Sequence, residues 1–354
     1  MREMIEDGIG RILQDQVTPG LLAAAARGEF AQPLWRLLEE SGFTRALCSS
    51  THGGSDASWS DVHPLLVASG LHCLPLPLPE TLLACSVLEK AGIEAPHGPI
   101  GIADQHAGTP LALQKSGDAW RLNGELTHVP WGRHCKHLVA QVPHDGEMWV
   151  VLLSAEGLEI RHNVNLAREP RDTFRLRDAR PLRVSRSLLA QPDPIRVYGA
   201  LLRAAQTAGA ARRTLDQAVQ YAGERVQFGR PLAKFQAVQQ QIAMAVSEVA
   251  AITAAAEHAS DAAESGDPTC AVAIAKITAA EAAGKVAAVG HAVHGAIGYT
   301  AEHSLHHSTQ RLWSWRSEFG NIRWWSERLG LAVCARGADQ AWNSLIDGEL
   351  EVLT

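Results

Sequence analysis

The chain has 354 residues, of which 46% are hydrophobic and 20% are charged, and it carries a formal net charge of −6. These values are typical of a soluble globular protein that is long enough for two or three structural units and a sizeable buried core. The negative net charge gives no reason to expect nucleic acid or an anionic membrane surface as a partner.

The N-terminal segment and the cysteines predict a cytoplasmic protein. MREMIEDGIGRILQDQV is charged and amphipathic, unlike a secretory signal peptide. We expect no membrane-spanning helix, because no apolar run approaches the roughly 20 residues that one needs. No CxxC pair occurs, so we expect reduced, mostly buried thiols instead of a zinc site or a disulfide framework. The cysteines are Cys48, Cys73, Cys85, Cys135, Cys270 and Cys334.

Residues 1–94 have the apolar spacing of helices. Apolar side chains recur every three or four positions in segments such as IEDGIGRILQDQV and QPLWRLLEESGF. Gly28, Gly42 and Gly92 stand where helices would end, and Pro79 stands near a helix start. The pattern predicts an N-terminal helical domain over 1–94.

Residues 95–195 have strand patterns instead. LNGE contains Asn123-Gly124, a dipeptide typical of tight turns, and Asp145-Gly146 separates two apolar runs in HLVAQVPHDGEMWVVLLS. These signals predict a central antiparallel β domain over 95–195.

Residues 196–354 return to helical patterns. We predict helices over 197–223 and 235–265, and a third that Asp267 caps, with Pro268 as its first residue, running to about 294. One face of the second helix is apolar and consists of Phe235, Val238, Ile242, Val246 and Val249. The many alanines suit a bundle that packs against other chains as well as against itself.

RVQFGRP, which begins at Arg225, cannot continue a helix, because Gly229 and Pro231 both interrupt one. We predict a turn between two helices there. It would offer the guanidinium of Arg225, the amide of Gln227 and the ring of Phe228 to a planar, anionic ligand such as a dinucleotide. The alternative is a structural corner in which the arginine forms a salt bridge and the phenylalanine is buried.

This corner resembles one in the acyl-CoA dehydrogenase family, where an RxxFG turn is followed by a Gln eleven residues after the Arg. Gln236 stands at that spacing from Arg225. VHGAIGYTAEHSLHHSTQR, residues 293–311, is similar to the family's HGGxGYTxExxLxxxxR segment. The resemblance implies an α+β, mainly α fold with an N-terminal helical domain, a central antiparallel β domain and a C-terminal four-helix bundle over 196–354.

The resemblance also implies a cofactor, FAD, bound in an extended conformation at a subunit interface. The residues that would contact the flavin nucleotide of a neighbouring subunit are Arg225, Gln227, Phe228 and Gln236.

A second set of residues would approach the same cofactor. His294, Gly295 and Ala296 would lie near its pyrophosphate, where small residues let the backbone come close. In ELTHVPWG, His128 and Pro130 stand where the family places an aromatic residue and a Thr over the flavin ring.

Family members oxidise an acyl-CoA thioester to the trans-2-enoyl thioester, with a carboxylate as the base that removes the α-proton. The usual base is a Glu before a Gly, 21 residues after the first Gly of the GYT motif; counting from Gly298 reaches Phe319. A second family position, 26 residues before the Arg of the RxxFG turn, holds Gly199. Glu318 remains the candidate base, although adjacent helical residues point about 100° apart.

Two hypotheses follow. In the first, the chain is an FAD-dependent acyl-CoA dehydrogenase with Glu318 as a displaced base. In the second, it is a base-deficient subunit of a heteromeric dehydrogenase and contributes half of a flavin site, while a homologous partner supplies the carboxylate. The expected partners are an acyl-CoA substrate, an electron-transfer flavoprotein, and other subunits in a homo-oligomer or a heterotetramer.

Two further clusters have competing interpretations. His303, His306 and His307, with Glu302, have helical spacings that could suit a metal, but the family motif that contains them carries none, so we predict no metal site. A tryptophan and arginine cluster could stack on nucleic-acid bases, but we favour packing at an interface or a pocket wall. Its tryptophans are Trp313, Trp315, Trp324 and Trp325.

Overall fold

The computed structural model of the protein describes residues 1–104, 108–117, 119–188, 193–346 and 350–352. Helices come first along the chain, strands follow, and helices return, which confirms the predicted fold class. The helices are α1 (Arg2–Gln16), α2 (Pro19–Ala26), α3 (Gln32–Glu40), α4 (Trp59–Leu71), α5 (Leu78–Lys90), α6 (Pro194–Glu224), α7 (Gln236–Ser265), α8 (Thr269–His294), α9 (Leu305–Trp315), α10 (Ile322–Arg336) and α11 (Ala338–Ile346).

The strands lie between α5 and α6, apart from one short pair after α6. They are β1 (Ile100–Ile102), β2 (Ala112–Ser116), β3 (Ala119–Pro130), β4 (His137–His144), β5 (Glu147–Ser154), β6 (Glu159–Arg161), β7 (Arg171–Ala179), β8 (Arg183–Arg186), β9 (Val226–Gln227) and β10 (Arg230–Pro231).

The chain forms two compact units. The first contains Ala23–Ser58 and Pro75–Gly199, and the second contains Arg2–Leu22, Trp59–Leu74 and Ala200–Thr354. The element type changes between Lys90 and Ile100 and again between Arg186 and Pro194.

The first unit holds two four-stranded sheets, ordered β1-β4-β5-β8 and β2-β3-β7-β6. β1 runs parallel to β4, and the other neighbours are antiparallel. The predicted turn at Asp145-Gly146 joins β4 to β5, with φ of 52° and 76° at the two residues. Positive φ at both central residues is the geometry of a type I′ hairpin.

The predicted turn at Asn123-Gly124 is wrong, because both residues lie inside β3. Gly124 has φ of 125° and sits at a shift in the register between β3 and β7. The Asn123 amide donates to Asp178 Oδ1 at 3.2 Å, and its oxygen accepts from the Asp178 N–H at 2.8 Å. The Asn-Gly pair therefore marks a β-bulge here. Glycine can adopt the positive φ that a bulge requires, as it does in a hairpin turn.

The second unit is built on helices that approach closely through small side chains. Alanines of α6, α7 and α8 pack with Leu312 and Trp315 of α9 in one buried cluster. A Cβ added at Gly209 of α6 would lie 2.0 Å from the Val67 carbonyl oxygen of α4, and one at Gly70 would lie 1.9 Å from the Gln206 carbonyl oxygen. These two glycines let the backbones of α4 and α6 touch.

The C-terminal helices match the predicted segments with small shifts. α8 begins at Thr269, one residue later than predicted, and Asp267 Oδ1 accepts from the Thr269 N–H at 3.0 Å. Val246 does not share the core face assigned to it, since it is 48% exposed while Val249 is buried.

α7 bears on the expectation that no helix is long and apolar enough to span a membrane. By length and composition alone, its residues Gln236–Glu264 are, and 28% of their most apolar stretch is buried. Alanine supplies much of this apolar character, so no long run of large side chains marked it in the sequence.

Candidate functional site

The corner between α6 and α7 is a short hairpin. β9 pairs with β10 so that Gln227 faces Arg230 across a two-residue loop, and the Leu232 N–H donates to the Arg225 carbonyl at 2.9 Å. A turn between two helices was predicted at this place and is confirmed. The Arg225 side chain makes no hydrogen bond or ion pair with any residue that the structure describes.

Phe228 occupies the loop of this hairpin in a costly conformation. Its φ is 53° and that of Gly229 is 80°, the left-handed pair that a type I′ turn requires and that Asn-Gly usually supplies. A bulky residue at positive φ is an outlier. Phe228 is also 90% exposed, so the alternative of a buried phenylalanine is wrong. A strained, exposed aromatic ring indicates a binding role.

Replacing Phe228 by Asn is expected to stabilise the folded protein while weakening its binding of flavin. Asn-Gly suits the type I′ loop, so the free energy of unfolding of the flavin-free protein should rise by about 1 kcal/mol. Flavin retention should fall severalfold because the aromatic ring is lost. Thermal unfolding and flavin absorbance per polypeptide measure the two effects; a variant that retains flavin like the wild type would remove Phe228 from the site.

The turn after α8 contains the second set of residues that were predicted to approach FAD. Gly295 has φ of 62° and open space where a Cβ would stand, and Ala296 is exposed. His294 is 3% exposed, and its Nδ1 donates to the Gly290 carbonyl at 2.7 Å. Its Nε2 is buried and has no hydrogen-bond partner among the described residues. Burial lowers the pKa of His294, so the ring stays neutral and Nε2 is an acceptor.

Tyr221 links the two predicted segments. Its ring stacks on His294 with centroids 4.6 Å apart and an interplanar angle of 26°, and it lies one turn before Arg225 in the chain. Leu232 and Val238, beyond the hairpin, pack in the same cluster as Val293. The hairpin and the turn after α8 therefore meet at one end of the bundle, and Gln236 begins α7 there. Tyr221 was not predicted, because an aromatic residue near a helix end carries no signal of its own.

His128 and Pro130 lie in β3, in the first unit. His128 is exposed with φ of 53°, at a register shift between Leu126 and Val129. Pro130 is buried and pairs with Arg171 of β7. Bulges of this kind often lie beside active sites because they re-aim a side chain. The assignment of both residues to a flavin ring stays a prediction.

The position of the family's usual base lies in a turn between α9 and α10. Phe319 is 5% exposed with φ of 53°, and its carbonyl accepts a hydrogen bond from Trp325 Nε1 at 3.0 Å. A Cβ at Gly320 would lie 2.5 Å from the same indole nitrogen. The segment is therefore no helix, and a buried phenyl ring fills the position.

Glu318 is held by a buried arginine that the sequence did not single out. Arg203 of α6 is 1% exposed, and its Nε donates to Glu318 Oε2 at 2.7 Å. Its guanidinium carbon lies 5.7 Å from the Trp315 ring centroid and 5.5 Å from that of Phe319. Charge-assisted pairs in such surroundings are strong. The sequence feature that could have pointed to this ion pair is a charged arginine within the alanine-rich stretch of α6.

This ion pair favours the ionised form of Glu318, because a proton on the carboxylate would remove its charge from Arg203. The assignment of Glu318 as the base stays a prediction. Gly199, at the second family position, is buried in α6 and bears no carboxylate.

The histidine and tryptophan clusters are only partly buried, and Trp313 is 44% exposed. His303 lies edge-on to His294, with ring centroids 4.5 Å apart, and no three His, Cys, Asp or Glu side chains within the described ranges converge to hold a metal. Trp315 and Trp325 are buried, and Arg328 covers Trp324 with its guanidinium carbon 3.7 Å from the ring centroid.

Comparison with known proteins shows a likeness to acyl-CoA dehydrogenases. Residues 197–316 match the C-terminal domain of acyl-CoA dehydrogenases. Acyl-CoA dehydrogenase IpdE2 of Mycobacterium tuberculosis is 28% identical over 309 residues, which cover 86% of this chain and 88% of the relative. The chain is therefore similar to acyl-CoA dehydrogenases over most of its length, as its motifs predicted. This confirms, at the level of the family, the predicted oxidoreductase class.

Solved structures extend the likeness in fold over nearly the whole chain. The Tcur3481-Tcur3483 steroid ACAD variant is 25% identical with a TM-score of 0.86, covering 95% of this chain and 98% of that one. The ChsE4-ChsE5 complex from Mycobacterium tuberculosis is 22% identical with a TM-score of 0.87 and the same coverage. Both are named as assemblies of two different chains.

Proposed function

We propose that this chain is a subunit of a heteromeric, FAD-dependent acyl-CoA dehydrogenase in which a homologous partner supplies the catalytic base. The observation that carries the proposal is the Arg203–Glu318 ion pair, because it engages the carboxylate nearest to the usual base position. The relatives named as two-chain assemblies support a heteromeric organisation.

The reaction is the α,β-dehydrogenation of an acyl-CoA thioester to its trans-2-enoyl-CoA. A carboxylate takes the α-proton, and the β-hydrogen leaves with its electron pair as hydride. Bound FAD supplies the acceptor for that hydride. Steroid-derived acyl groups, named for one relative, are the first substrates to test.

The residues at the end of the bundle fit a flavin dinucleotide. Arg225 presents a guanidinium without a side-chain partner in the described part of the chain, and Phe228 presents an exposed ring. Gly295 leaves its backbone open, and His294 Nε2 is an unused acceptor for a hydroxyl group. This chain would therefore bind and orient the dinucleotide, with Gln227, Gln236 and Ala296 beside these groups.

We further propose that an electron-transfer flavoprotein reoxidises the flavin in a β-oxidation-like pathway, as the family resemblance implies. The cytoplasmic location expected from the N-terminal segment is part of the same proposal. The exposed, alanine-rich α7 supports packing against another subunit.

Flavin content tests the heteromeric assignment. The chain purified alone should carry little flavin and form no enoyl-CoA, because half of each site is missing. Co-expression with a homologous chain from the same gene cluster should yield a yellow complex that is active. Full flavin occupancy and turnover by the chain alone would refute the proposal and make Glu318 the leading base.

A further inference from the structure

Basic side chains gather where α6 packs against α9. Two hydrogen bonds fix the register of this contact: Thr214 Oγ1 donates to Ser308 Oγ at 2.9 Å, and Gln217 Nε2 donates to Ser304 Oγ at 2.7 Å. Arg213 is the neighbour of Thr214 in the α6 sequence. His307 and Arg311 lie one turn apart on α9, on either side of Ser308.

Arg213 is only partly satisfied by the protein. Its Nη1 donates to the Leu71 carbonyl of α4 at 3.2 Å. Its Nε is buried and has no hydrogen-bond partner among the residues described. A buried guanidinium N–H without an acceptor is costly and calls for an explanation. The side chain as a whole is half-buried, so part of Arg213 reaches solvent although its Nε does not.

Arg213 and Arg311 both act electrostatically on His307 of α9. Arg311 is 4% exposed, and its Nη1 donates to the His307 carbonyl at 2.9 Å. The rings of His306 and His307 lie 4.0 Å apart. Burial, followed by His306, Arg311 and Arg213, lowers the pKa of His307 to about 4. Burial and Arg213 also lower the pKa of His72. Arg213 and Arg311 are the permanent cations that act on these imidazoles, and the lowered pKa keeps both rings neutral.

We propose that Arg213, Arg311 and His307 form a binding site for a phosphate-type oxyanion at the contact between α6 and α9. A planar guanidinium suits tetrahedral oxyanions, which accept two parallel N–H bonds from it. The anion would accept from the Arg213 guanidinium and offset the repulsion between the cations Arg213 and Arg311. The site does not depend on the proposed enzymatic reaction.

Thermal unfolding in phosphate tests this site. The flavin-free chain is titrated with sodium orthophosphate, with sodium chloride at equal ionic strength as reference, and with glycerol 3-phosphate as a monoester. Phosphate should raise Tm saturably by roughly 2 °C or more over chloride, since a ligand that binds only the folded state stabilises it. A response to glycerol 3-phosphate as well would assign the site to phosphate esters, and a response to orthophosphate alone would assign it to the free anion.

Matched variants show which residues the rise of Tm in phosphate depends on. Arg213→Gln should abolish the phosphate response, while Arg212→Gln, its exposed neighbour paired with Asp216, should keep it. Arg225→Gln should also keep it, which separates this site from the predicted pyrophosphate contacts. Should Arg213→Gln fail to fold, His307→Gln replaces it, with at least a threefold loss of phosphate affinity expected. No response beyond chloride in the wild type, or equal responses in Arg212→Gln and Arg213→Gln, would overturn the proposal.

Discussion

Replacing Glu318 by Gln is expected to lower the free energy of unfolding by about 3 kcal/mol, because the buried Arg203 guanidinium loses the negative charge of its carboxylate partner. Arg203 is 1% exposed and donates to Glu318 at 2.7 Å. The neutral amide can still accept a hydrogen bond, but it cannot balance the guanidinium charge. Chemical denaturation of the flavin-free chain measures the loss.

The double variant Arg203→Met/Glu318→Gln should recover most of that stability and unfold within about 1 kcal/mol of the wild type, since an apolar residue of similar length often replaces a buried ion pair at little cost. Asp216→Asn is the matched control. It breaks the Arg212–Asp216 pair, whose side chains are 68% and 61% exposed, and should change stability by less than about 1 kcal/mol. Equal losses of unfolding free energy in Glu318→Gln and Asp216→Asn would show that the Arg203–Glu318 pair stabilises the fold no more than an exposed pair does.

Arg225→Gln is expected to weaken flavin binding about 30-fold, the loss of one charge-assisted contact worth about 2 kcal/mol. Its side chain has no partner within the described residues, so stability without flavin should not change. Flavin absorbance per polypeptide after dialysis of the co-expressed complex measures the effect, with Arg212→Gln as the control for loss of charge. Equal flavin retention by both variants would remove Arg225 from the site.

The sequence was most informative where a local rule and a motif agreed. Gly229 and Pro231 break the helix after Arg225 whatever the rest of the chain does, and the hairpin lies there. Gly28, Gly42 and Gly92 have positive φ, as expected of residues that end helices.

Other features depend on contacts between distant segments. Asn123-Gly124 obeys the same local preference as a hairpin turn, but its pairing with Asp178, 55 residues away, makes it a bulge. Arg203 and Glu318 are 115 residues apart, so no local pattern announces their ion pair. Phe228 was expected either to stack on a ligand or to be buried, and only its 90% exposure separates the two.

The rate of enoyl-CoA formation by the heteromeric complex that contains Arg203→Met/Glu318→Gln tests the account most directly. This variant removes the carboxylate of Glu318 without leaving a buried charge, so a fall in rate would report chemistry and not unfolding. If the partner supplies the base, turnover should stay within about twofold of the wild-type complex. A loss of 100-fold or more, the size expected for removal of a general base, with flavin still bound, would show that Glu318 is the base after all.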